Sequence, residues 1–402
     1  MDRKAKPGQG YSYLMMIGHL CCDIHQSTVP ALLPFLVAYR ELGYTAAAGL
    51  VFAMGLASSF IQPLLGIAVD RKQMPWLMGL GIFMGGIGVA SVGFLHSYWS
   101  IFAALIFAGL GAAIFHPEAG RMANFVAGEK KGAGVSTFIA GGNLAFVFGP
   151  VIAVFALSTW GLRGMAIFLI PSTIMSAIFL SKQKTFMQFA EMNKREASKQ
   201  TVDTEQKDNW PAFCKLCLPI LTRSVIMGGL SAFVPLYFVG VLMQTRQHGS
   251  LMLTVMACAG VVAAFVGGRI ADRAGFARIM RLGFAVAVVL IAFLPQTRSV
   301  WIATALIVVL ATSLNLGHGP SVALGQRFLP NRMGVASGIV LGLTVSMGGM
   351  FAPVLGSIGD NHGLTTVMYV MAGIAVIGLI GAMLVKEPEP LAKKIPTAVS
   401  SD

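Results

Sequence analysis

Long apolar runs separated by short polar connections dominate the chain. A membrane-spanning helix needs about 20 apolar residues, at a rise of about 1.5 Å each. By this measure the pattern predicts twelve spans, over residues 12–37, 45–69, 75–95, 98–120, 133–157, 165–181, 213–242, 250–270, 279–296, 300–325, 334–358 and 364–385. We therefore predict an all-α membrane protein. Its predicted parts are a six-helix bundle at 1–181, a polar cytoplasmic linker at 182–212, a second six-helix bundle at 213–385 and a tail at 386–402.

Composition agrees with a polytopic membrane protein, because 56% of the 402 residues are hydrophobic and only 11% are charged. The net charge of +13 lies in short basic blocks between apolar runs, which disfavours a nucleic-acid surface. With the N-terminus inside, 23 of the 29 lysines and arginines lie in cytoplasmic segments and 4 in outer loops. This bias predicts a multi-pass protein of the bacterial inner membrane with both termini in the cytoplasm.

The two halves of the chain repeat each other at a constant offset. His116 and His318 are 202 positions apart, as are Asp70 and Asp272. Two prolines, Pro34 and Pro150, have counterparts at nearly the same offset. An internal repeat of this kind is typical of transporters that bind their substrate between the two halves.

A Gly-x-x-x-Asp-Arg element follows the second helix of each half. The two copies are Gly66-Ile-Ala-Val-Asp70-Arg71 and Gly268-Arg-Ile-Ala-Asp272-Arg273. The glycine lets two helices approach, and the aspartate is suited to hydrogen bonding at a neighbouring helix N-terminus. The element resembles the signature loop of the major facilitator superfamily. The resemblance implies twelve helices and transport by alternating access.

More particular features resemble the fosmidomycin resistance branch of that superfamily, and they lie in the N-terminal half. They are Gly18-His19, Gln62-Pro63, Met74-Pro75-Trp76, Phe115-His116-Pro117-Glu118 and Gly141-Gly142-Asn143. This resemblance implies proton-driven export of a small phosphonate antibiotic. In the fifth span, Gly142, Gly149 and Pro150 resemble part of the glycine-proline element of drug–proton antiporters, and they predict close helix packing.

The first span carries a polar stripe. His19, Asp23 and Gln26 recur at helical spacing on one face. Such a stripe is expected to face a water-filled cavity rather than lipid. We predict that Asp23 and His19 couple transport to protons and that Gln26 contacts the substrate. The alternative is a structural hydrogen bond from Asp23 to Gln62 or Asn143.

The fourth span ends in a cluster of ionisable residues around Pro117. We predict that His116 binds an anionic substrate and that Glu118 is a second proton-coupling group. Glu118 and Arg121 are spaced for an ion pair on a helix. The alternative is that these two residues form a cytoplasmic gate with Arg71.

The second half contributes Arg223 in the seventh span and the segment Asn315-Leu-Gly317-His318-Gly319-Pro320 in the tenth. Glycines and a proline predict an interrupted helix, which is common at transporter substrate sites. We predict that His318 and Asn315 bind substrate; the alternative is that both histidines mark helix-packing breaks inherited by duplication. Arg223 is predicted either to hold a phosphonate or carboxylate bidentately or to pair with Asp23.

These residues together predict a secondary active exporter that is driven by the proton gradient and needs neither cofactor nor metal. Its expected partners are protons, a small anionic substrate and the lipid bilayer, and we expect a monomer. The sequence contains no nucleophile, metal-ligand or phosphate-loop pattern, which disfavours an enzyme. The alternatives are a carrier of another small solute, such as a sugar or organic acid, and a membrane sensor that keeps the fold without transport.

Overall fold

The computed structural model describes residues 9–71, 73–127, 131–197 and 207–386, and nearly all of them are helical. The α-helices are α1 Gln9–Arg40, α2 Tyr44–Arg71, α3 Trp76–Ser91, α4 Tyr98–Val126, α5 Lys131–Trp160, α6 Leu169–Ser181, α7 Gln183–Ala197, α8 Trp210–Gly240, α9 Arg246–Ala274, α10 Phe276–Phe293, α11 Val300–Leu316, α12 His318–Phe328, α13 Met333–His362 and α14 Leu364–Leu384. Short 3-10 helices lie at Gly161–Phe168, Leu294–Gln296 and Pro330–Arg332.

Each of the twelve predicted spans corresponds to helical structure. Helices α1 to α6 supply the first six spans, and α8 to α14 supply the other six because the tenth is interrupted at Gly317, between α11 and α12. Within the described ranges, seven helical segments are long and apolar enough to cross a membrane by length and composition. They are Gly10–Arg40, Tyr98–Val126, Gly134–Ser181, Trp210–Gly240, Phe276–Gln296, Val300–Phe328 and Leu364–Leu384.

Helix α1 packs along α5 at the centre of the N-terminal bundle. The approach is close because glycines of α5 face α1. A Cβ atom added at Gly141 would collide with the main chain of Met16, and one added at Gly149 would collide with Ser27. The Ser27 hydroxyl donates a hydrogen bond of 2.8 Å to the carbonyl of Ala145. Small residues of this kind allow main chains to pack closely where lipid provides no hydrophobic drive.

The linker contains one further helix, α7, which packs beneath the N-terminal bundle. Its residues Phe186 and Phe189 are fully buried. The ring of Tyr11 meets both edge-on, at centroid distances of 6.4 and 4.9 Å. This aromatic cluster attaches the first part of the linker to the N-terminal half.

The two halves meet through α2 and α13, through α5 and α9, and through α1 with α8 and α9. Two of the hydrogen bonds that cross this junction come from hydroxyls of α9. The Ser250 hydroxyl donates to the carbonyl of Ala31 at 2.7 Å, and the Thr254 hydroxyl donates to the carbonyl of Val147 at 3.0 Å. Both lie toward the face that carries the α1–α2 and α8–α9 connections, which we call the outer face after the expected orientation.

Candidate functional site

Asp23, in the middle of α1, contacts two histidines. Its Oδ2 lies 3.1 Å from Nε2 of His19, one turn earlier on the same helix. Its Oδ1 lies 2.9 Å from Nε2 of His116, on α4. His19 and Asp23 are buried, and the His116 side chain is 20% exposed. The structure therefore joins three of the predicted site residues in one cluster inside the N-terminal bundle.

Main-chain carbonyls fix the other nitrogen of each imidazole ring. Nδ1 of His19 lies 2.8 Å from the carbonyl oxygen of Phe138, and Nδ1 of His116 lies 2.8 Å from that of Ala112. A carbonyl oxygen can only accept a hydrogen bond, so both Nδ1 atoms carry hydrogen. The Nε2 atoms, which face Asp23, are then the ring positions at which a proton can be gained or lost.

The three side chains are suited to hold a proton or a metal ion between them. When Asp23 is ionised and both imidazoles are protonated, the net charge of the cluster is +1. Loss of the proton from either Nε2 atom lowers this net charge by one. The three ligand atoms also lie within 4.8 Å of one another. A histidine that binds a metal ion commonly donates its other N–H to a carbonyl, so these residues have the donor set of a divalent transition-metal site as well.

The surroundings of the cluster hold it in place. The Phe138 ring stacks on His19 with a centroid distance of 4.1 Å, and the Gln26 amide donates to Oδ1 of Asp23 at 3.2 Å. Gly142 on α5 faces the cluster, and a Cβ atom there would lie 3.1 Å from Oδ2 of Asp23. The predicted stripe on α1 is thus bounded by α4 and α5.

Arg223 lies in the other half and contacts the interrupted tenth span. Its Nε donates to the carbonyl of Leu314 at 2.8 Å, and its Nη2 donates to Oδ1 of Asn315 at 2.8 Å. These residues precede the interruption at Gly317, where the last carbonyls of α11 need new partners. His318 is the first residue of α12 and is half-buried. The partners of Arg223 in the structure are therefore on α11, and Asp23 pairs with the two histidines instead.

Glu118 and Arg121 form the ion pair expected from their spacing. Oε2 of Glu118 lies 2.6 Å from Nη2 of Arg121, and the Glu118 side chain is fully buried. The guanidinium of Arg121 also lies over the ring of Phe125. The alternative gate with Arg71 falls on a side chain outside the described part of the structure.

The two signature loops are described only in part. Helix α2 ends at Arg71 and α9 ends at Ala274, so the two Gly-x-x-x-Asp-Arg elements form the last turns of these helices, whereas the sequence pattern placed them after the helices. Arg273 is exposed. The side chains of Asp70, Arg71 and Asp272 lie outside the described part of the structure, as do the surroundings of Gly66 and Gly268.

Sequence reasoning missed the two atoms that orient the histidines. The carbonyls of Ala112 and Phe138 belong to apolar residues, and a main-chain acceptor leaves no signal in the sequence. It also assigned His116 to the substrate alone. The contact between His116 and Asp23 depends on how α1 and α4 are turned toward each other, which the spacing within each helix does not specify.

Two six-helix bundles with a polar, ionisable cluster inside the membrane define a multi-pass membrane transporter rather than an enzyme. The chain belongs to the Major Facilitator Superfamily, whose family model matches residues 15–343.

Relatives and solved structures agree with this assignment. The chain is 27% identical over 386 residues to an uncharacterized MFS-type transporter, YfnC, of Bacillus subtilis (strain 168), with 94% of each chain covered. It is 24% identical over 382 residues to the fosmidomycin resistance protein of Escherichia coli (strain K12), with 95% of this chain and 94% of that one covered.

Two solved structures share the fold. A mutant of the nucleoside transporter NupG has a TM-score of 0.73 at 14% identity, with 93% of this chain and 99% of that one covered. A bacterial homologue of the human lysosomal transporter Spinster, in an inward-facing and occupied conformation, also has a TM-score of 0.73 at 14% identity, with 95% and 97% covered.

Proposed function

We propose that this transporter is a proton-coupled antiporter that exports a small anionic compound, with a phosphonate such as fosmidomycin as the leading candidate. The observation that carries the proposal is the contact of the buried Asp23 with His19 and His116. The relative named for fosmidomycin resistance supports the cargo. In this proposal the protein works by alternating access as a monomer in the bacterial inner membrane, with both termini in the cytoplasm and without a cofactor.

The proton step takes place between Asp23 and the two Nε2 atoms. Because both Nδ1 atoms donate to carbonyls, a proton that reaches the cluster is shared between an Nε2 atom and the carboxylate. Protonation of Asp23 removes the negative charge that attracts His19 and His116. The contact between Asp23 on α1 and His116 on α4 then weakens. This change favours release of the cargo and return of the cargo-free transporter to the inward-facing state. Glu118 is the second proton-coupling group in this proposal.

The cargo ligands that we propose are His116, His318 and Arg223, assisted by Gln26 and Asn315. A guanidinium has five N–H donors, and Leu314 and Asn315 accept from two of those of Arg223. An anion would therefore add to the existing bonds of Arg223. For an anion leaving the cell, the inside-negative potential contributes about 2.3 kcal/mol per charge per 100 mV. Proton entry adds a second driving force in the same direction.

A drug-susceptibility panel tests cargo and coupling together. Cells that express the protein should survive higher concentrations of fosmidomycin than cells with an empty vector, and cells with Asp23→Asn should lose this protection because an amide does not exchange the proton. Gly373→Ala is the control for expression, since a Cβ atom at Gly373 meets no other atom within 4 Å.

Two results would contradict the proposal separately. Unchanged survival with every anionic compound in the panel would contradict the proposed anionic cargo and favour a carrier of another solute. Full protection by Asp23→Asn at equal membrane abundance would remove the proton role of Asp23.

A further inference from the structure

A carboxylate of the C-terminal half caps a helix of the N-terminal half. Asp360 lies in the last turn of α13, at the outer face. Its Oδ1 accepts a hydrogen bond of 2.6 Å from the main-chain N–H of Tyr44. Its Oδ2 accepts from the main-chain N–H and the hydroxyl of Thr45, at 2.9 and 2.6 Å. Tyr44 and Thr45 are the first two residues of α2.

The start of α2 has no side chain of its own for this task. The first N–H groups of a helix have no partners within the helix, and a polar side chain at the preceding position commonly accepts from them. The preceding residue here is Gly43. Asp360 takes the place of that local cap, and its negative charge also matches the positive end of the helix dipole. Hydrogen bonds to an ionised acceptor are stronger than those between neutral groups.

The two helices approach closely enough for main-chain contact at this point. A Cβ atom at Gly356, one turn before Asp360, would lie 2.7 Å from both Cα of Thr45 and the carbonyl oxygen of Tyr44. The Asp360 carboxylate is therefore held directly against the start of α2. The contact cannot survive a separation of α2 and α13 by more than about 1 Å, because hydrogen bonds weaken steeply beyond about 3.5 Å.

We propose that Asp360 is a latch that holds the outer face closed, and that opening the outer face uncaps α2. The proposal rests on the alternating-access part of the proposed function and not on its cargo. In the closed arrangement, Asp360 adds a charge-assisted contact to the neutral bonds that Ser250 and Thr254 make across the same face. Loss of the latch raises the fraction of molecules that are open at the outer face.

A buried reporter thiol measures that fraction. Ser250 is fully buried and contacts Ala31 across the junction, so Ser250→Cys places a thiol that reacts only when the outer face opens. The reporter is combined with serine at Cys214, Cys217 and Cys258, which are the cysteines that are not buried. The purified protein in lipid nanodiscs is treated with a low concentration of a maleimide, so that the alkylation rate is proportional to the open fraction.

Asp360→Ala should raise the alkylation rate roughly fivefold, the effect expected for loss of a helix cap. Thr45→Val, which removes only the hydroxyl donor, should give a smaller rise. Glu41→Gln is the matched control, because Glu41 is an exposed carboxylate in the same α1–α2 connection, and it should leave the rate unchanged. The assay needs neither cargo nor a proton gradient, so it separates failure of the latch from failure of the proposed cargo.

A double variant distinguishes a latch from a merely stabilising cap. In Asp360→Ala with Gly43→Ser, the serine caps α2 locally but does not connect it to α13. This variant should still react at the raised rate. The proposal is overturned if Asp360→Ala reacts at the original rate, or if the added serine restores that rate.

Discussion

At the scale of single residues, Gly142 controls the geometry of the candidate proton site without taking part in its chemistry. A Cβ atom at this position would lie 2.6 Å from Cε1 and 2.8 Å from Nε2 of His19. Either separation is well inside van der Waals contact. The space occupied by the imidazole and by Asp23 therefore exists only because α5 has a glycine there.

Gly142→Ala should displace His19 from Asp23 and reduce export roughly tenfold, because overpacking at a tight contact costs about 1–3 kcal/mol. No ionisable group is altered by this substitution. Transport into proteoliposomes, at equal protein content, measures the effect. Gly373→Ala adds the same methyl group to open space and should transport normally. Normal transport by Gly142→Ala would show that the cluster tolerates displacement.

At the scale of elements, the interrupted tenth span depends on a residue of α8. The interruption at Gly317 separates α11 from α12, and Arg223 supplies donors to the end of α11 through Leu314 and Asn315. A cation near a helix C-terminus is also favourable for the helix dipole. Arg223 therefore has a structural task that is independent of any bound anion.

Arg223→Lys tests this task because the single ammonium nitrogen of a lysine cannot occupy the positions of both Nε and Nη2, from which Arg223 donates. Without substrate, the variant should unfold at a lower temperature, with a loss of about 1–3 kcal/mol for the unsatisfied groups. The midpoint of thermal unfolding in detergent is the measurement, and Arg298→Lys in an exposed loop is the control. Unchanged unfolding together with lost transport would assign Arg223 to the substrate alone.

The elements themselves could be predicted from the sequence, whereas their contacts could not. Twelve apolar runs predict the helices because every span must hide its main chain from lipid. Periodicity also placed His19, Asp23 and Gln26 on one face of α1. The pairing of Asp23 with His116, and that of Asp360 with Thr45, depend on the rotation and depth of two separate helices. The residue spacing within a single helix specifies neither the rotation of that helix nor its depth relative to its neighbour.

At the scale of the whole molecule, the two halves touch through the outer face, where α2 meets α13 and α9 meets α1 and α5. A cavity of about 390 Å³ lies at this face, and both halves contribute to its walls, including Val37 and Arg246. The guanidinium of Arg246 lies over the ring of Tyr39 in the other half, 4.9 Å from its centroid. These contacts close the face that the charge bias assigns to the outside.

Thiol labelling in intact cells tests that orientation. His96 and Arg298 are exposed and occupy equivalent places in the two halves. The variants His96→Cys and Arg298→Cys should react with an impermeant maleimide. Lys184→Cys on α7 should react only after the membrane is permeabilised, because the basic segments are expected in the cytoplasm. The reverse pattern would show that the chain is inserted the other way round. The background again has serine at the three cysteines that are not buried.

The hydrogen bonds from the imidazoles of His19 and His116 to main-chain carbonyls affect which substitutions the protein tolerates. Every amino acid has a carbonyl, so the hydrogen bonds that positions 112 and 138 accept do not depend on the identity of their side chains, as long as a new side chain fits the buried space. Position 142 has no such latitude, since any side chain there enters the space of His19. A saturation library of the protein should therefore accept small residues at position 112 and other aromatic residues at position 138, where the side chain must still fit the buried space, and accept only glycine at position 142.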